Sequence, residues 1–268
     1  RANGAYKVVG DQQEVLFDVS SGDSVTIRRM GNEFHVQRQN TVRSSSALRL
    51  VPQNDTTMIE VQSWEHRPSW NLQLNDNQFR GILEIRLVND AVVFINELSI
   101  EYYLRGLAEV SNDSALEKQK ALAVLARTYA RFYMQEENRK FPGFPYDGSD
   151  DPDIFQRYLG YGMEKRSPNW VGAVTLTENE VVTYQGKLVK TPYFNQSDGR
   201  TRSAKEVWGW TNTPYLQSVP DPWCSGLELK GHGVGLSGCG AEAQAKSGKT
   251  YDDIIKYYYQ GVEVEEVE

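Results

Sequence analysis

The spacing of hydrophobic residues changes near residue 99, and this change limits the folds that the chain can adopt. From residue 6 to about 98, apolar and polar side chains alternate, as in strands with one face on a core and one in water. From Ser99 onward the spacing becomes helical before strands return near residue 175. Because strands and helices come in blocks and not in βαβα alternation, the sequence predicts an α+β fold with a β-rich N-terminal part followed by a mixed helix/strand part.

A break near residue 75 divides the chain into two expected units. Residues 1–75 form a β-rich N-terminal unit, and residues 76–268 form the mixed domain. Hairpin turns are predicted at Gly31-Asn32, at Asn89-Asp90 and, in the second unit, at Gln185-Gly186. The segment that starts at Met58 alternates as a further strand.

Two helices follow the β-rich part. The first is short and has Ser99 as its expected N-cap. The second is long, begins with a capping box of Ser114 and Glu117, and ends near Asn138. Alanines at four positions keep this helix narrow, so other elements can approach it closely. A short helix is also predicted from Tyr251 near the end of the chain.

The charge balance excludes some classes of partner. The 268 residues contain 29 Lys and Arg against 36 Asp and Glu, which gives a net charge of −7 and no bulk attraction to nucleic acid or to an anionic membrane. No run of 18 apolar residues is present, so no membrane span is expected. Since the sequence starts with Arg1 and not with Met, we expect a processed or trimmed fragment whose targeting segment has been removed.

The glycine-rich stretch from Lys230 to Thr250 does not predict a nucleotide site. Gly233-Val-Gly235-Leu-Ser-Gly238 has the spacing of a dinucleotide-binding turn, but the chain ends within 30 residues of it, so no βαβ unit can be completed. The segment at 247–250 is similar to the end of a phosphate-binding loop, yet Ala243 stands where that loop needs its first glycine. No cofactor is therefore expected.

Two cysteines, Cys224 and Cys239, lie 15 positions apart. They are compatible with one disulfide, with two free thiols, or with a zinc site that also uses His232. A disulfide would close a loop of about 16 residues and stabilise the fold by roughly 3 kcal/mol in the chain-entropy model.

Glu109 has apolar immediate neighbours in Leu107-Ala108-Glu109-Val110, and it lies where the first short helix is expected to end. A carboxyl group in an apolar setting resists ionisation, because water no longer solvates its charge. Such a group can hold a proton near neutral pH and act as a general acid.

Four ordered motifs resemble the SpoIID family, named after stage II sporulation protein D. They are YLRGLAE from Tyr103 with EKQKALAVLARTY from Glu117; YFNQSDGRT from Tyr193 with EVW from Glu206; GHGVGLS from Gly231 with the Gly-Ala that follows; and the Gly-Lys at 248 with YYYQG from Tyr257. The resemblance extends from about Asn77 to Gly261. It identifies the second unit as a SpoIID-like domain with a substrate groove.

The resemblance implies a bacterial lytic transglycosylase that breaks the MurNAc–GlcNAc β-1,4 bond of peptidoglycan without water. Glu109 matches the catalytic glutamate of the family. The implied location is extracytoplasmic, in the cell envelope or secreted, and the implied partners are glycan strands and a cell-wall amidase. The residues expected to bind substrate are Tyr103, Arg105, Arg127, Tyr129, Asn195, Ser197, Asp198, Arg200 and His232. For Arg127 and Tyr129, packing and bracing between helix and strand is an equal alternative.

The chain departs from the family pattern at three places. The usual Glu-Met-Pro is Glu109-Val110-Ser111 here, and Gly238-Cys239 replaces a Gln-Tyr pair. Some members bind zinc near the segment at 193–201, but no His or Cys occurs between Glu136 and Pro222, so no metal site is expected. With so altered a cleft, one alternative is a non-catalytic peptidoglycan-binding protein that enhances an amidase. Another is an unrelated extracellular α+β binding domain.

Overall fold

The computed structural model describes residues 1–69 and 71–267. It contains both helices and strands, which confirms the predicted α+β class and the β-rich N-terminal part. The strands are β1 (Tyr6–Gly10), β2 (Val15–Val19), β3 (Thr26–Met30), β4 (Glu33–Arg38), β5 (Thr41–Ser45), β6 (Ala47–Pro52), β7 (Ile59–Glu60), β8 (Gln78–Phe79), β9 (Ile82–Val88), β10 (Ala91–Glu97), β11 (Glu180–Tyr184), β12 (Lys187–Leu188), β13 (Tyr193–Phe194), β14 (Leu236–Ser237) and β15 (Glu263–Glu266). The helices are α1 (Ile100–Arg105), α2 (Leu116–Met134), α3 (Tyr161–Arg166), α4 (Pro168–Leu176), α5 (Ala204–Trp208), α6 (Gly238–Lys246) and α7 (Tyr251–Tyr258).

The chain forms two compact units, and each is built from two segments. Unit 1 contains Arg1–Ala108 and Gly143–Arg166. Unit 2 contains Glu109–Pro142 and the chain from Ser167 onward. The division into residues 1–75 and 76–268 stays a prediction.

Unit 1 is organised around an antiparallel sheet with the strand order β10-β9-β6-β1-β2 and a second sheet with the order β3-β4-β5. The hairpins expected at Gly31-Asn32 and at Asn89-Asp90 join β3 to β4 and β9 to β10. Asn89 and Asp90 both have positive φ angles, 49° and 64°, as a two-residue turn with the twist of its flanking strands requires.

The core of unit 1 draws one face from each sheet. Tyr6 and Leu48 come from the larger sheet, Phe34 and Val36 from the smaller, and all four are almost completely buried. Burial of this kind contributes about 1.5–3 kcal/mol for each large apolar side chain. The apolar positions of the alternating pattern therefore lie on the two sheet faces that meet in this core.

Unit 2 is built around α2. This helix packs against α4, α6, α7 and β11, and ten of its nineteen residues are buried. The close approach follows from its alanines: Ala121, Ala123, Ala126 and Ala130 all lie in the core. The narrow helix expected from the sequence thus serves as the axis on which the other elements of unit 2 pack.

Of the two predicted helix N-termini, the cap at Ser99 is confirmed and the capping box at Ser114 is wrong. Ser99 is the N-cap of α1, and its hydroxyl accepts from the backbone N–H of Tyr102 at 3.4 Å, as expected. The capping box of Ser114 and Glu117 is wrong, because α2 begins after Ala115. The Ala115 N–H donates to the distant Glu242 carboxylate at 3.2 Å, so the helix start is held by a tertiary contact.

Other boundaries also differ from the sequence expectation. The strand expected from Met58 is only the two-residue β7, and α2 ends at Met134, with one turn of 3-10 helix, Glu136–Asn138, after it. Helix α7 and the turn at Gln185-Gly186 are confirmed. Within the described residues, no helix is both long enough and apolar enough to cross a membrane.

A disulfide joins Cys224 to Cys239, with their Cα atoms 6.2 Å apart. It links a turn of 3-10 helix, Pro222–Cys224, to the first turn of α6. The bond uses both sulfur atoms, so neither is available as a zinc thiolate. It closes the loop that contains His232.

Removing this disulfide should destabilise unit 2. A Cys224→Ala/Cys239→Ala double variant is expected to lose about 3 kcal/mol of unfolding free energy, because its unfolded chain is no longer restricted by the closed loop. Urea unfolding measures the loss, and reduction of the wild-type protein should give a loss of similar size. Equal stability of the variant and the oxidised wild type would contradict the expectation.

Candidate functional site

Glu109 begins unit 2 and lies in a bend, half-buried, next to the buried Val110. The loop that leads from it to α2 is fixed within unit 2 by amide side chains. Asn169 donates to the carbonyl of Asn112 at 3.0 Å, and Gln119 donates to the same oxygen at 3.1 Å. These bonds fix the loop, and with it the backbone that carries the carboxyl group.

Tyr129, on α2, lies within electrostatic reach of Glu109. Burial raises the pKa of Tyr129, and the neighbouring Tyr133 and the charge of Glu109 raise it further. The phenol therefore stays neutral at physiological pH. Its oxygen accepts a hydrogen bond from the Lys140 ammonium group at 3.2 Å. The structure thus places a neutral hydroxyl near the candidate catalytic carboxyl.

A row of aromatic rings begins at Tyr129. Tyr133 lies one helical turn further on, with ring centroids 4.8 Å apart, and Phe132 contacts Tyr133 at 5.2 Å. The ammonium group of Lys190 lies 5.7 Å from the Phe132 ring centre. This half of the row comes mainly from the C-terminal part of α2.

The row continues on segments that are distant in sequence. Lys190 lies 4.2 Å from the ring centre of Trp210, and Trp210 packs on Trp208 at 4.5 Å. Trp208 contacts His232 at 4.9 Å, and His232 contacts Phe194 at 5.7 Å. We call this set the aromatic strip: Tyr129, Phe132, Tyr133, Lys140, Lys190, Phe194, Trp208, Trp210 and His232.

Both ring nitrogens of His232 form hydrogen bonds with the backbone, so His232 contributes its ring face to the strip. Nδ1 accepts from the Val234 N–H at 3.0 Å, and the ring makes a further hydrogen bond with the backbone of Tyr193. Burial lowers the pKa of His232, partly opposed by the bond to Tyr193, so the ring is neutral at pH 7. This arrangement suits stacking and orientation, not proton transfer.

Glycines shape the segment around His232. Gly231 has a φ of 104°, and a Cβ there would come within 2.9 Å of the Phe194 side chain. Gly235 has a φ of 78°, and a Cβ there would lie 1.9 Å from the carbonyl oxygen of Pro192. Both glycines are needed for the close parallel pairing of β13 with β14. The glycine-rich stretch therefore allows close backbone packing, which brings His232 into contact with Phe194.

Two of the residues expected to bind substrate are buried instead. Arg127 is fully buried and donates to the carbonyls of Val174 and Glu180, at 3.2 and 3.1 Å. Ser197 is fully buried and donates to the Asp221 carboxylate at 2.6 Å. Neither side chain reaches the surface, and both brace the fold. Their contact with a ligand stays a prediction.

The remaining expected residues are distributed over both units. Asp198 pairs with the half-buried Arg202 at 2.7 Å, and the exposed Arg200 pairs with the exposed Glu206 at 2.8 Å. Asn195 is exposed, with its carbonyl accepting from the Cys239 N–H at 3.1 Å. In unit 1, the Tyr103 hydroxyl donates to the Gln156 side chain at 3.0 Å, and the Arg105 guanidinium lies 5.0 Å from the Tyr102 ring centre.

Sequence reasoning missed seven members of the strip: Phe132, Tyr133, Lys140, Lys190, Phe194, Trp208 and Trp210. Tyr133 has a weak signal, since it follows Tyr129 by four residues on the same helix face. Trp208 and Trp210 form a Trp-x-Trp pair. This pair, Lys140 and Lys190 are separated in the sequence, so no local pattern links them. Among the residues that the structure describes, no group of three or more His, Cys, Asp and Glu side chains is placed to hold a metal ion.

Burial of Arg127 predicts a loss of stability, not of binding, when it is changed. Arg127→Met should lower the unfolding free energy by about 2–4 kcal/mol, because two buried carbonyls lose charged donors. Arg131→Met, on the same helix and only half-buried, should change stability by less than about 1 kcal/mol. Urea unfolding compares the two. An unchanged stability with weakened glycan binding would restore the ligand-binding role.

The burial of His232 predicts how it titrates. Its folded-state pKa should lie below the unfolded value of about 6.5. The stability that it contributes is fully present above that value and is lost as the pH falls through the folded pKa. NMR of histidine-labelled protein measures the titration, and His232→Gln assigns the signal. A midpoint above 6.5 would contradict the burial.

Comparison with known proteins gives related sequences over parts of the chain. The family model described as SpoIID, Stage II sporulation protein, matches residues 88–184. An uncharacterized protein of Brachyspira hyodysenteriae is 34% identical over 154 residues, which cover 57% of this chain and 40% of that protein. The matched part is thus less than half of the Brachyspira protein.

Two proteins of Bacillus subtilis are also similar. Stage II sporulation protein D is 25% identical over 267 residues, covering 65% of this chain and 76% of that protein. The protein named Amidase enhancer is 26% identical over 235 residues, covering 82% of this chain and 29% of that protein. The family model covers Glu109 and α2 but ends before Lys190 and the rest of the strip.

Proposed function

We propose that this chain, which belongs to the SpoIID family through its residues 88–184, is a peptidoglycan lytic transglycosylase that uses Glu109 as its general acid and base. The observation that carries the proposal is the position of Glu109. Its half-buried carboxyl group lies near Tyr129, at one end of a strip of rings that suits the apolar faces of sugars. The bond cleaved is the MurNAc–GlcNAc β-1,4 linkage.

The first step is proton donation. A sugar chain bound along the strip excludes water from the Glu109 carboxyl group, which favours the neutral, proton-donating form. The proton passes to the glycosidic oxygen as its bond to the anomeric carbon of MurNAc breaks. Positive charge develops on the MurNAc ring as an oxocarbenium ion, and the GlcNAc end leaves as an alcohol.

The second step uses the same side chain as a base. The Glu109 carboxylate takes the proton from the 6-hydroxyl of the same MurNAc, and that oxygen bonds to the anomeric carbon. The products are a 1,6-anhydroMurNAc end and a free GlcNAc end, and no water is consumed. A hydrolase with two carboxylates needs a second acid at a set distance, whereas one carboxyl group suffices here.

The neutral Tyr129 supports both steps. Its uncharged hydroxyl group is already hydrogen-bonded to Tyr133, so its oxygen can orient a sugar hydroxyl beside Glu109 as an acceptor. The same oxygen accepts from the Lys140 ammonium group at 3.2 Å. We therefore assign Tyr129 a positioning role.

The proposed substrate implies an extracytoplasmic location in a bacterial cell envelope. The Cys224–Cys239 disulfide supports this location, because disulfides form and persist in oxidising compartments. The similarity to sporulation and amidase-enhancer proteins of Bacillus subtilis is in agreement with it.

Glu109→Gln should abolish cleavage while leaving the fold intact. The amide cannot donate and recover a proton, so the rate of anhydro-muropeptide release should fall by about 100-fold or more. Mass spectrometry of digested, purified glycan strands measures the product.

Asp113→Asn is the matched control, since it removes an exposed carboxylate four residues away on the same loop. It should leave the rate unchanged. If Glu109→Gln releases products as fast as wild type, the assignment fails; if Asp113→Asn loses activity equally, charge on the loop and not Glu109 is responsible.

A second candidate function is enhancement of an amidase without cleavage. The observation in its favour is the similarity over 82% of this chain to the protein named Amidase enhancer. The aromatic strip could hold glycan whether or not Glu109 acts. This function predicts sedimentation with cell-wall sacculi, no new anhydro ends, and a faster amidase reaction in which Glu109→Gln performs as well as wild type.

A further inference from the structure

The side chain of Arg105, the last residue of α1, forms neither a hydrogen bond nor an ion pair within residues 1–69 and 71–267. Its Nε atom is buried, and no acceptor in these ranges lies within hydrogen-bonding distance of it. Its guanidinium group lies 5.0 Å from the centre of the Tyr102 ring. A donor of a charged group is costly to bury without a partner, so packing alone does not account for this arginine.

The neighbours of Arg105 orient its guanidinium group. The guanidinium group of Arg80 also lies 5.0 Å from the Tyr102 ring centre. Arg80 is itself fixed, because it donates to both carboxylate oxygens of Glu164, at 2.6 and 2.8 Å, and to the carbonyl of Asp55 at 2.7 Å. All five residues belong to unit 1. Tyr102 therefore packs against a fixed group, and its cation–π contact limits how Arg105 can turn.

The positive charge of Arg105 is not balanced as that of Arg80 is. Glu164 pairs with Arg80, whereas none of the described carboxylates pairs with Arg105. The two Nη atoms of Arg105 are not buried, and they too have no acceptor in the described part of the chain. The Nη atoms of a guanidinium group form a planar fork that matches the two oxygens of a carboxylate or a phosphate. An oriented fork is thus available to an oxyanion.

A carboxylate suits this fork better than a polyphosphate does. With a net charge of −7, the chain has no bulk attraction for a polyanion such as nucleic acid, and one fork satisfies one carboxylate. Arg105 also lies in YLRGLAE, the motif that ends with Glu109. The ligand proposed for Glu109 is a glycan strand, and such a strand carries carboxylates.

We propose that the Nη fork of Arg105 binds a carboxylate of the glycan strand. The inference rests on the proposed function and adds a determinant of substrate choice to it. The family resemblance implies that Arg105 binds substrate, whereas the unpartnered fork names the chemical group that it binds. In peptidoglycan the carboxylate has two sources. One is the lactyl group of a MurNAc without a peptide, and the other is a stem peptide attached to that lactyl group.

Urea unfolding separates a binding role from a structural one. Arg105→Met keeps an apolar stem against Tyr102 and removes the unpartnered donors, so the unfolding midpoint should stay the same or rise. Arg80→Met leaves Glu164 without its partner and should lower the midpoint. If Arg105→Met lowers the midpoint as much as Arg80→Met does, Arg105 is structural and the proposal is overturned.

Binding is measured separately from catalysis. All binding variants are made in the Glu109→Gln background, which prevents cleavage of the probe. The probes are end-labelled glycan strands without peptides, strands that carry stem peptides, and strands of both kinds whose carboxylates have been converted to neutral methylamides. Dissociation constants come from fluorescence anisotropy at physiological salt.

Arg105→Met should weaken binding of a carboxylate-bearing strand about tenfold, because a charge-assisted bidentate contact is lost. The methylamide strands should bind with the same affinity whether or not Arg105 is present. Arg105→Lys keeps the charge but not the fork, so it should recover less than half of the loss on a logarithmic scale. Arg28→Met, which removes an exposed arginine from β3 of the same unit, should leave the affinity unchanged.

The pattern across the probes identifies the source of the carboxylate. A loss on peptide-free strands assigns the contact to the lactyl group, and a loss confined to peptide-bearing strands assigns it to the stem peptide. No loss on either strand, an equal loss on the methylamide strands, or full recovery with Arg105→Lys overturns the proposed fork. If Glu109→Gln still cleaves the strands while Arg105→Met binds them weakly, the proposed function fails and the role of Arg105 stands.

Discussion

The guanidinium group of Arg127 holds unit 2 together at one point. It is fully buried, and it donates to the carbonyl of Val174 at the end of α4 and to that of Glu180 at the start of β11. Its neighbour Thr128 accepts from the Val182 N–H at 2.8 Å, which adds a second link between α2 and β11. A buried charge is tolerated only when its donors are satisfied, so these contacts fix how α2 is rotated in its core.

That rotation determines which side chains of α2 reach the surface. With Arg127 turned inward, Tyr129 and Tyr133 lie one turn apart and contact each other edge to face, with ring centroids 4.8 Å apart. The same helix therefore carries the core of unit 2 and the start of the aromatic strip. The chemistry proposed for Glu109 depends on this, because the phenol beside it is placed by a helix whose orientation is set elsewhere.

Local features of the fold were predictable from the sequence, and tertiary ones were not. Asn89-Asp90 gives its hairpin because few other pairs adopt two consecutive positive φ angles, a property of those two residues alone. The capping box predicted at Ser114 was wrong, because the Ala115 N–H donates a hydrogen bond to the carboxylate of Glu242, 127 positions further along the chain. For the proposed site, Glu109 was predicted from the motif resemblance. A motif does not reveal whether its charged or polar residues are buried, as Arg127 shows. The strip could not be read because its rings meet only after folding.

The contact between Gly235 and Pro192 has a consequence for how this protein can vary. The obstacle to any side chain at position 235 is a main-chain oxygen only 1.9 Å from the place of its first carbon. Trimming a neighbouring side chain cannot relieve such a clash, since every amino acid at position 192 carries the same oxygen. A second mutation nearby therefore cannot compensate for a side chain at position 235, and the backbone alone requires glycine there.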